Sequence, residues 1–141
     1  MSRVDKEGPI HRAILNHLRA RFPGAVVVHA ANEVPLAGKN VARAIAKAKW
    51  NGMLPGFPDL AVFLPQGECV LFEVKAPGGA IQPSQKSILK QLTDLGFRNA
   101  VVRSVADVDA CITEWGLDLC AAWSPNSFRD LRDRIVGKDA E

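Results

Sequence analysis

Apolar positions recur along the chain first at helical and then at strand spacing. Ile10, Ile14, Leu15, Leu18 and Phe22 share one helical face, which predicts a helix from Gly8 to Arg21 that Pro23-Gly24 ends. Ala25-Val-Val-Val-His29 is short and β-branched, so it reads as a strand. Asn32 to Gly38 reads as loop, and Lys39 to Trp50 as an alanine-rich helix. Two further apolar runs, Asp59 to Leu64 and Glu68 to Lys75, flank Pro65-Gln66-Gly67. With proline first and glycine last, that insert predicts a three-residue hairpin loop, a type I turn followed by a left-handed Gly67. Pro77-Gly78-Gly79 breaks the chain, and Pro83 opens a helix through Leu95. Asn99 to Arg103 is a strand, and Ser104 with Asp107 resembles a capping box for a helix to Trp115.

The order α-β-α-β-β-α-β-α, with a hairpin inside an alternating pattern, predicts an α/β fold with one mixed sheet flanked by helices. At 141 residues with 48% hydrophobic and 23% charged content, the chain suits one ordered domain. That domain is expected over residues 1–117, with a tail over 118–141 that carries Phe128, Leu131 and Ile135 on one helical stripe, as a cap on the core or a contact for another subunit. Three cysteines at wide spacing, Cys69, Cys111 and Cys120, predict reduced, mostly buried thiols of a cytoplasmic protein and exclude a disulfide frame or zinc site. No apolar run reaches the ~20 residues that a membrane span needs.

The hairpin carries the candidate chemistry. Closing its loop between Leu64 and Glu68 sets Asp59 opposite Glu73, and directly paired side chains share a face. Lys75, two residues on, joins that face. Two carboxylates and an ammonium meeting at one end are either a structural ion pair or a site for a hard cation, Mg²⁺ or Mn²⁺, which removes the carboxylate repulsion. Such a cation lowers the pKa of a bound water, and Lys75 would stabilise transition-state charge, which suits phosphodiester hydrolysis.

Polar groups on apolar stripes extend the set. Glu7 stands three and seven residues before Ile10 and Ile14, and Gln85 three, four and seven before Ile88, Leu89 and Leu92. Glu7 either reaches the site or complements its helix N-terminus. Gln85 either reaches it or caps its own helix. Lys39, Arg43 and Lys47 recur every four residues, with Lys49 and Trp50 beyond them. They form either a solvated face or a phosphate-contacting stripe, and proximity to the Asp59 loop favours DNA. The net charge of +3 permits a polyanion without demanding one. His11 and His17 show no metal-ligand spacing and receive no role.

Pro58-Asp59 followed by Glu73-Val74-Lys75 resembles the signature of the PD-(D/E)XK nuclease superfamily, the restriction-endonuclease-like fold. More narrowly, Gly56-Phe-Pro-Asp-Leu60, Phe72-Glu-Val-Lys-Ala-Pro-Gly-Gly79, Gln82-Pro-Ser-Gln85 and Val102-Arg-Ser104 resemble the VRR-NUC family of virus-type replication-repair nucleases, from about Glu7 to Gly116. The resemblance implies Asp59, Glu73 and the Val74 carbonyl as metal ligands and Lys75 as the catalytic lysine. It also implies that Glu7 and Gln85 belong to the catalytic set, and that His29 and Asn32 lie near it. The family commonly has serine where Gln82 stands, which touches the helix cap more than the chemistry. A metal-dependent endonuclease on branched DNA such as Holliday junctions, working as a homodimer, is the implied activity. The alternative is a DNA-binding module that has lost catalysis. Intact Asp59, Glu73 and Lys75 speak against it, and absent GxGxxG and GxxxxGK[ST] loops speak against an unrelated small-molecule α/β enzyme.

Overall fold

The computed structural model describes residues 4–30 and 40–121. Lys39, Asn32 and the amphipathic stripe of the tail lie outside them. The elements are α1 (Glu7–Arg21), β1 (Val26–His29), α2 (Val41–Trp50), β2 (Leu60–Phe63), β3 (Cys69–Val74), α3 (Pro83–Asp94), β4 (Arg98–Val102), α4 (Val105–Glu114) and a short α5 (Asp118–Ala121). No helix among the described residues is long and apolar enough to cross a membrane.

The four strands form one sheet in the order β1-β2-β3-β4. The first three run antiparallel and β3 pairs with β4 in parallel, so the sheet is mixed as expected. Strand alternation divides its residues between two faces. Leu60, Val62, Val70, Phe72, Val74 and Val102 pack with Ile14 and Leu18 of α1 and Val108 and Ile112 of α4 into one core, all with almost no exposure. Helix α3 covers the opposite face along β3 and β4. Asn99 on β4 donates to the Leu89 carbonyl at 3.2 Å and to the Thr93 hydroxyl at 2.9 Å, and Ile88 is buried.

Leu60 faces Phe72 and Phe63 faces Cys69, with Leu64 N donating to the Glu68 carbonyl at 2.8 Å, which is the register the three-residue loop demands. The loop backbone differs in one respect. Gln66 as well as Gly67 takes a positive φ, 63° and 75°, so Pro65-Gln66-Gly67 is not a simple type I turn with a single left-handed residue. The cap of α4 also differs. Ser104 Oγ accepts from Asp107 N at 3.1 Å, but Asp107 returns its carboxylate to Arg103 N at 2.8 Å, one residue before the cap. All three cysteines are partly buried, in line with the mostly buried thiols expected, and Cys111 and Cys120 pack against the core. Burial first, then neighbouring carboxylates, raises all three thiols, so none is an activated nucleophile.

Contacts between α1 and the C-terminal elements brace the opening helix. His17 Nε2 meets Asp109 Oδ1 at 2.7 Å and Arg21 donates to Asp118 Oδ1 at 2.6 Å. Asp5 Oδ1 accepts from Glu7 N at 3.1 Å and Gly8 N at 2.9 Å, so Asp5, not Glu7, satisfies the first turn of α1. The carboxylate of Glu7 is thereby available to the sheet end.

Candidate active site

Asp59 sits one residue before β2, at the open end of the hairpin, where the register continues to Glu73. The Asp59 Oδ2 atom accepts from Val74 N at 2.8 Å. Its main-chain carbonyl accepts from Ala30 N at 2.8 Å, which ties the end of β1 to the same point. In an antiparallel ladder the N–H and C=O of one residue face the same neighbour. The Val74 carbonyl is therefore directed to the Asp59 side, while Lys75 N turns the other way and donates to the Val102 carbonyl at 3.0 Å.

Glu73 is 2% exposed and is the buried charged residue of the described chain. Its Oε1 accepts from Gln85 Nε2 at 2.5 Å and lies 3.6 Å from Lys75 Nζ. Its Oε2 is buried without a hydrogen-bond partner. Burial above all, and then the neighbouring Asp59 carboxylate, lifts the Glu73 carboxyl from its ordinary 4.5 to about 7, against the opposing pull of Lys75. Lys75 Nζ also lies 3.9 Å from Glu7 Oε1, so the ammonium stands between two carboxylates with its side chain only 12% exposed. At those separations its protons can still turn to a third oxygen.

Gln85 fulfils both readings open to it from the sequence. Its Oε1 accepts from Gln82 N at 2.8 Å, closing the N-terminus of α3, while its amide donates to Glu73. One side chain thus locks the helix end to the buried carboxylate. Gly56 sets the distance between that helix and the Asp59 loop. It has φ +87°, and a Cβ there would come within 2.5 Å of the Ser84 carbonyl and 2.8 Å of Gln85 N. Gly56→Ala is expected to destabilise the fold by about 2 kcal/mol or more, because both the strained φ and a backbone collision oppose it. Thermal melting checks this. A variant that melts like the wild type would show that the loop can move off α3 freely.

The structure brings Glu7, Asp59, Glu73, Lys75, Gln85 and Val74 together. Arg43, Lys47 and Lys49 are exposed along α2. His29 stands near the site, as the resemblance implies, and other residues join it without a role assigned from the sequence. A cleft of about 370 Å³ is lined by Asp5, Glu7, His11, His29, Asp59 and Val74. The ring centres of His11 and His29 lie 4.5 Å apart, with the planes tilted by 58°. His11 follows Glu7 by four residues, one helical turn, and that spacing is the signal the sequence offers. Arg103 donates to the Ala76 carbonyl at 2.7 Å and the Gly79 carbonyl at 2.9 Å, pinning the loop directly after Lys75. No spacing rule links residues so far apart in sequence.

These residues fit a hard divalent cation. The Glu73 oxygen without a partner, the adjacent Asp59 carboxylate and the inward Val74 carbonyl are oxygen donors of the kind such ions select. Among the described residues no three acidic, histidine or cysteine side chains form a ready-made cluster, so main-chain and water oxygens would complete the shell.

The family profile of the VRR-NUC domain matches residues 6–106. A solved structure of a VRR-NUC domain is 23% identical, covering 78% of this chain and 97% of its own, with a TM-score of 0.54. A second, a VRR-NUC domain protein, is 19% identical over 80% of this chain and 89% of its own, with a TM-score of 0.59. At those identities the structures speak for the fold. A comparison with curated proteins finds no match. The profile match spans most of the chain, from the start of α1 into α4, and on that basis the chain has a nuclease-type fold and belongs to the VRR-NUC domain family.

Proposed function

We propose that the chain is a divalent-metal-dependent DNA endonuclease that hydrolyses phosphodiester bonds at the open end of the β2–β3 hairpin. The observation that carries this reading is the Glu73 carboxylate, buried, raised toward neutrality and left with one oxygen without a partner beside Asp59. A structural ion pair would satisfy its charge. This arrangement leaves negative charge in excess where a cation would complete it.

Asp59, Glu73 and the Val74 carbonyl would hold Mg²⁺ or Mn²⁺. The bound ion would supply Lewis-acid charge neutralisation and a water of lowered pKa. Gln85 fixes the Glu73 carboxylate from the α3 side, which removes the freedom to rotate away from Asp59. Lys75 would hold the attacking water and meet the negative charge that grows on the phosphate. Glu7, on the far side of Lys75, steadies the ammonium while remaining exposed enough to meet solvent. Arg43, Lys47 and Lys49, with Lys39 outside the described residues, would contact phosphates in a sequence-independent and salt-sensitive way.

Branched DNA, such as a Holliday junction, as substrate and a homodimer as the working form belong to the same proposal. Support for pairing comes from β1, an edge strand of the sheet among the described residues, where Val26 and Val28 stay exposed beside Phe63. The test is cleavage of linear, flapped and four-way DNA with Mg²⁺, Mn²⁺ or EDTA, comparing wild type with Asp59→Ala. Cleavage is expected only with the metal and only in the wild type. Hydrolysis that proceeds in EDTA, or survives Asp59→Ala, would overturn the proposal.

A further inference from the structure

Helix α2 has two unlike sides. Val41, Ile45 and Ala48 are half-buried, whereas Arg43, Lys47 and Trp50, at i, i+4 and i+7, line the opposite side in solvent. Trp50 is 90% exposed, the largest exposure among the exposed large apolar side chains of the described residues. An indole left in water forfeits the burial free energy that normally draws tryptophan inward. Its neighbours on the helix, Arg43, Lys47 and Lys49, are all cationic, and the helix carries no acid. A flat π surface beside cationic side chains, with no acid on the helix, complements a polyanion that also presents π faces, which is a nucleic acid with accessible bases.

The turn that follows the helix leads toward the hairpin end. Asn51 N donates to the Lys47 carbonyl at 3.0 Å and Met53 N to the Ala48 carbonyl at 2.9 Å, so the segment leaving Trp50 is strapped to the helix. It walls a cleft of about 570 Å³ lined by Ala30, Ala48, Asn51, Met53, Leu54 and Phe57. Ala30 at its far side is one hydrogen bond from the Asp59 backbone. Trp50 itself stands outside this cleft, on the other side of the helix from Ala48.

We infer that Trp50 is a base-stacking platform that recognises an unpaired nucleotide, while Arg43, Lys47 and Lys49 hold the flanking phosphates. This rests on the nuclease reading and narrows it. In continuous duplex the bases are stacked on one another and offer an indole no face, so the chain would prefer DNA with a flap, gap or frayed end.

The test measures binding of the full chain in EDTA, where no cleavage intervenes. Fluorescence anisotropy compares a flapped oligonucleotide with a blunt duplex of equal length, and 2-aminopurine in the flap reports stacking. Trp50→Ala is expected to cut the flap-over-duplex affinity ratio about tenfold and to abolish the 2-aminopurine quench, with Trp50→Phe retaining most of both. Trp50 touches solvent, so the melting temperature of each variant should match the wild type. An unchanged ratio in Trp50→Ala would overturn the inference while leaving the nuclease reading intact if the wild type still cuts DNA. Loss of binding to phosphatidylserine vesicles in Trp50→Ala, with DNA binding unaffected, would overturn it in favour of a membrane surface. A wild type that binds no DNA at all would overturn both.

Discussion

Replacing Lys75 with methionine is expected to lower kcat for DNA cleavage by about 10²–10³-fold while leaving DNA affinity within about twofold, the loss typical of removing one preorganised charge from a transition state. Methionine is the informative choice because the Lys75 stem is packed and only 12% of the side chain is exposed. A similar unbranched apolar side chain keeps that contact and removes the ammonium alone. The competing reading is an ion pair that holds the sheet end together, with Lys75 bridging Glu73 at 3.6 Å and Glu7 at 3.9 Å. Those readings diverge in the ratio of the two losses. A structural pair predicts that any loss of activity follows a loss of folded protein and is recovered by cooling or stabilising osmolytes. A catalytic lysine predicts a folded, DNA-binding, inactive enzyme. Single-turnover cleavage alongside thermal melting separates them, and a Lys75→Met protein that cuts at the wild-type rate would remove Lys75 from the chemistry.

What the chain reveals of its own fold follows from how local each determinant is. The hairpin register needs only the chemistry of Pro65-Gln66-Gly67 and the period of the flanking strands, and those two alone set Asp59, Glu73 and Lys75 on one face. The apolar stripes of α1 and α3 likewise give the inward direction of Glu7 and Gln85 from spacing alone. The positive φ of Gln66 stays hidden because two adjacent left-handed residues are not demanded by any residue type except glycine. Asp5 escapes notice as the cap of α1 because the helix begins at Glu7, and capping geometry shifts with a boundary that sequence locates only within a residue or two. The clamp of Arg103 on the 76–79 loop, the ring contact of His11 with His29 and the seat of Gly56 on Ser84 all join residues distant in sequence. Each exists only after the sheet has formed.

Substituting Glu73 with glutamine should abolish cleavage and, in metal-free buffer at pH 8, make the protein more stable than the wild type. The sign follows from the direction of the shift. The folded Glu73 carboxyl titrates near 7 against an ordinary 4.5, so the folded state holds this proton more tightly than the unfolded chain does. Stability from this group is complete below pH 4.5, declines as pH rises toward 7, and stays lowered above that. The deficit at pH 8 is at most about 3 kcal/mol, from 1.36 kcal/mol per pKa unit. Glutamine removes the charge yet keeps an oxygen to accept from Gln85 Nε2, so the melting difference between Glu73→Gln and wild type in EDTA should grow between pH 4.5 and 7. Subtracting one protein from the other cancels every carboxylate they share, which isolates this one group. Mg²⁺ or Mn²⁺ should then raise the wild-type melting temperature and leave the variant nearly unmoved, because ligand binding to the folded state alone adds stability. A difference that stays flat across that pH range, or a metal response equal in both proteins, would show that Glu73 is neither the strained carboxylate nor the cation's anchor. The trade is physically coherent: a buried carboxylate that weakens the empty fold is one whose repulsion with Asp59 a cation can relieve, so the same residue that lowers stability supplies the affinity.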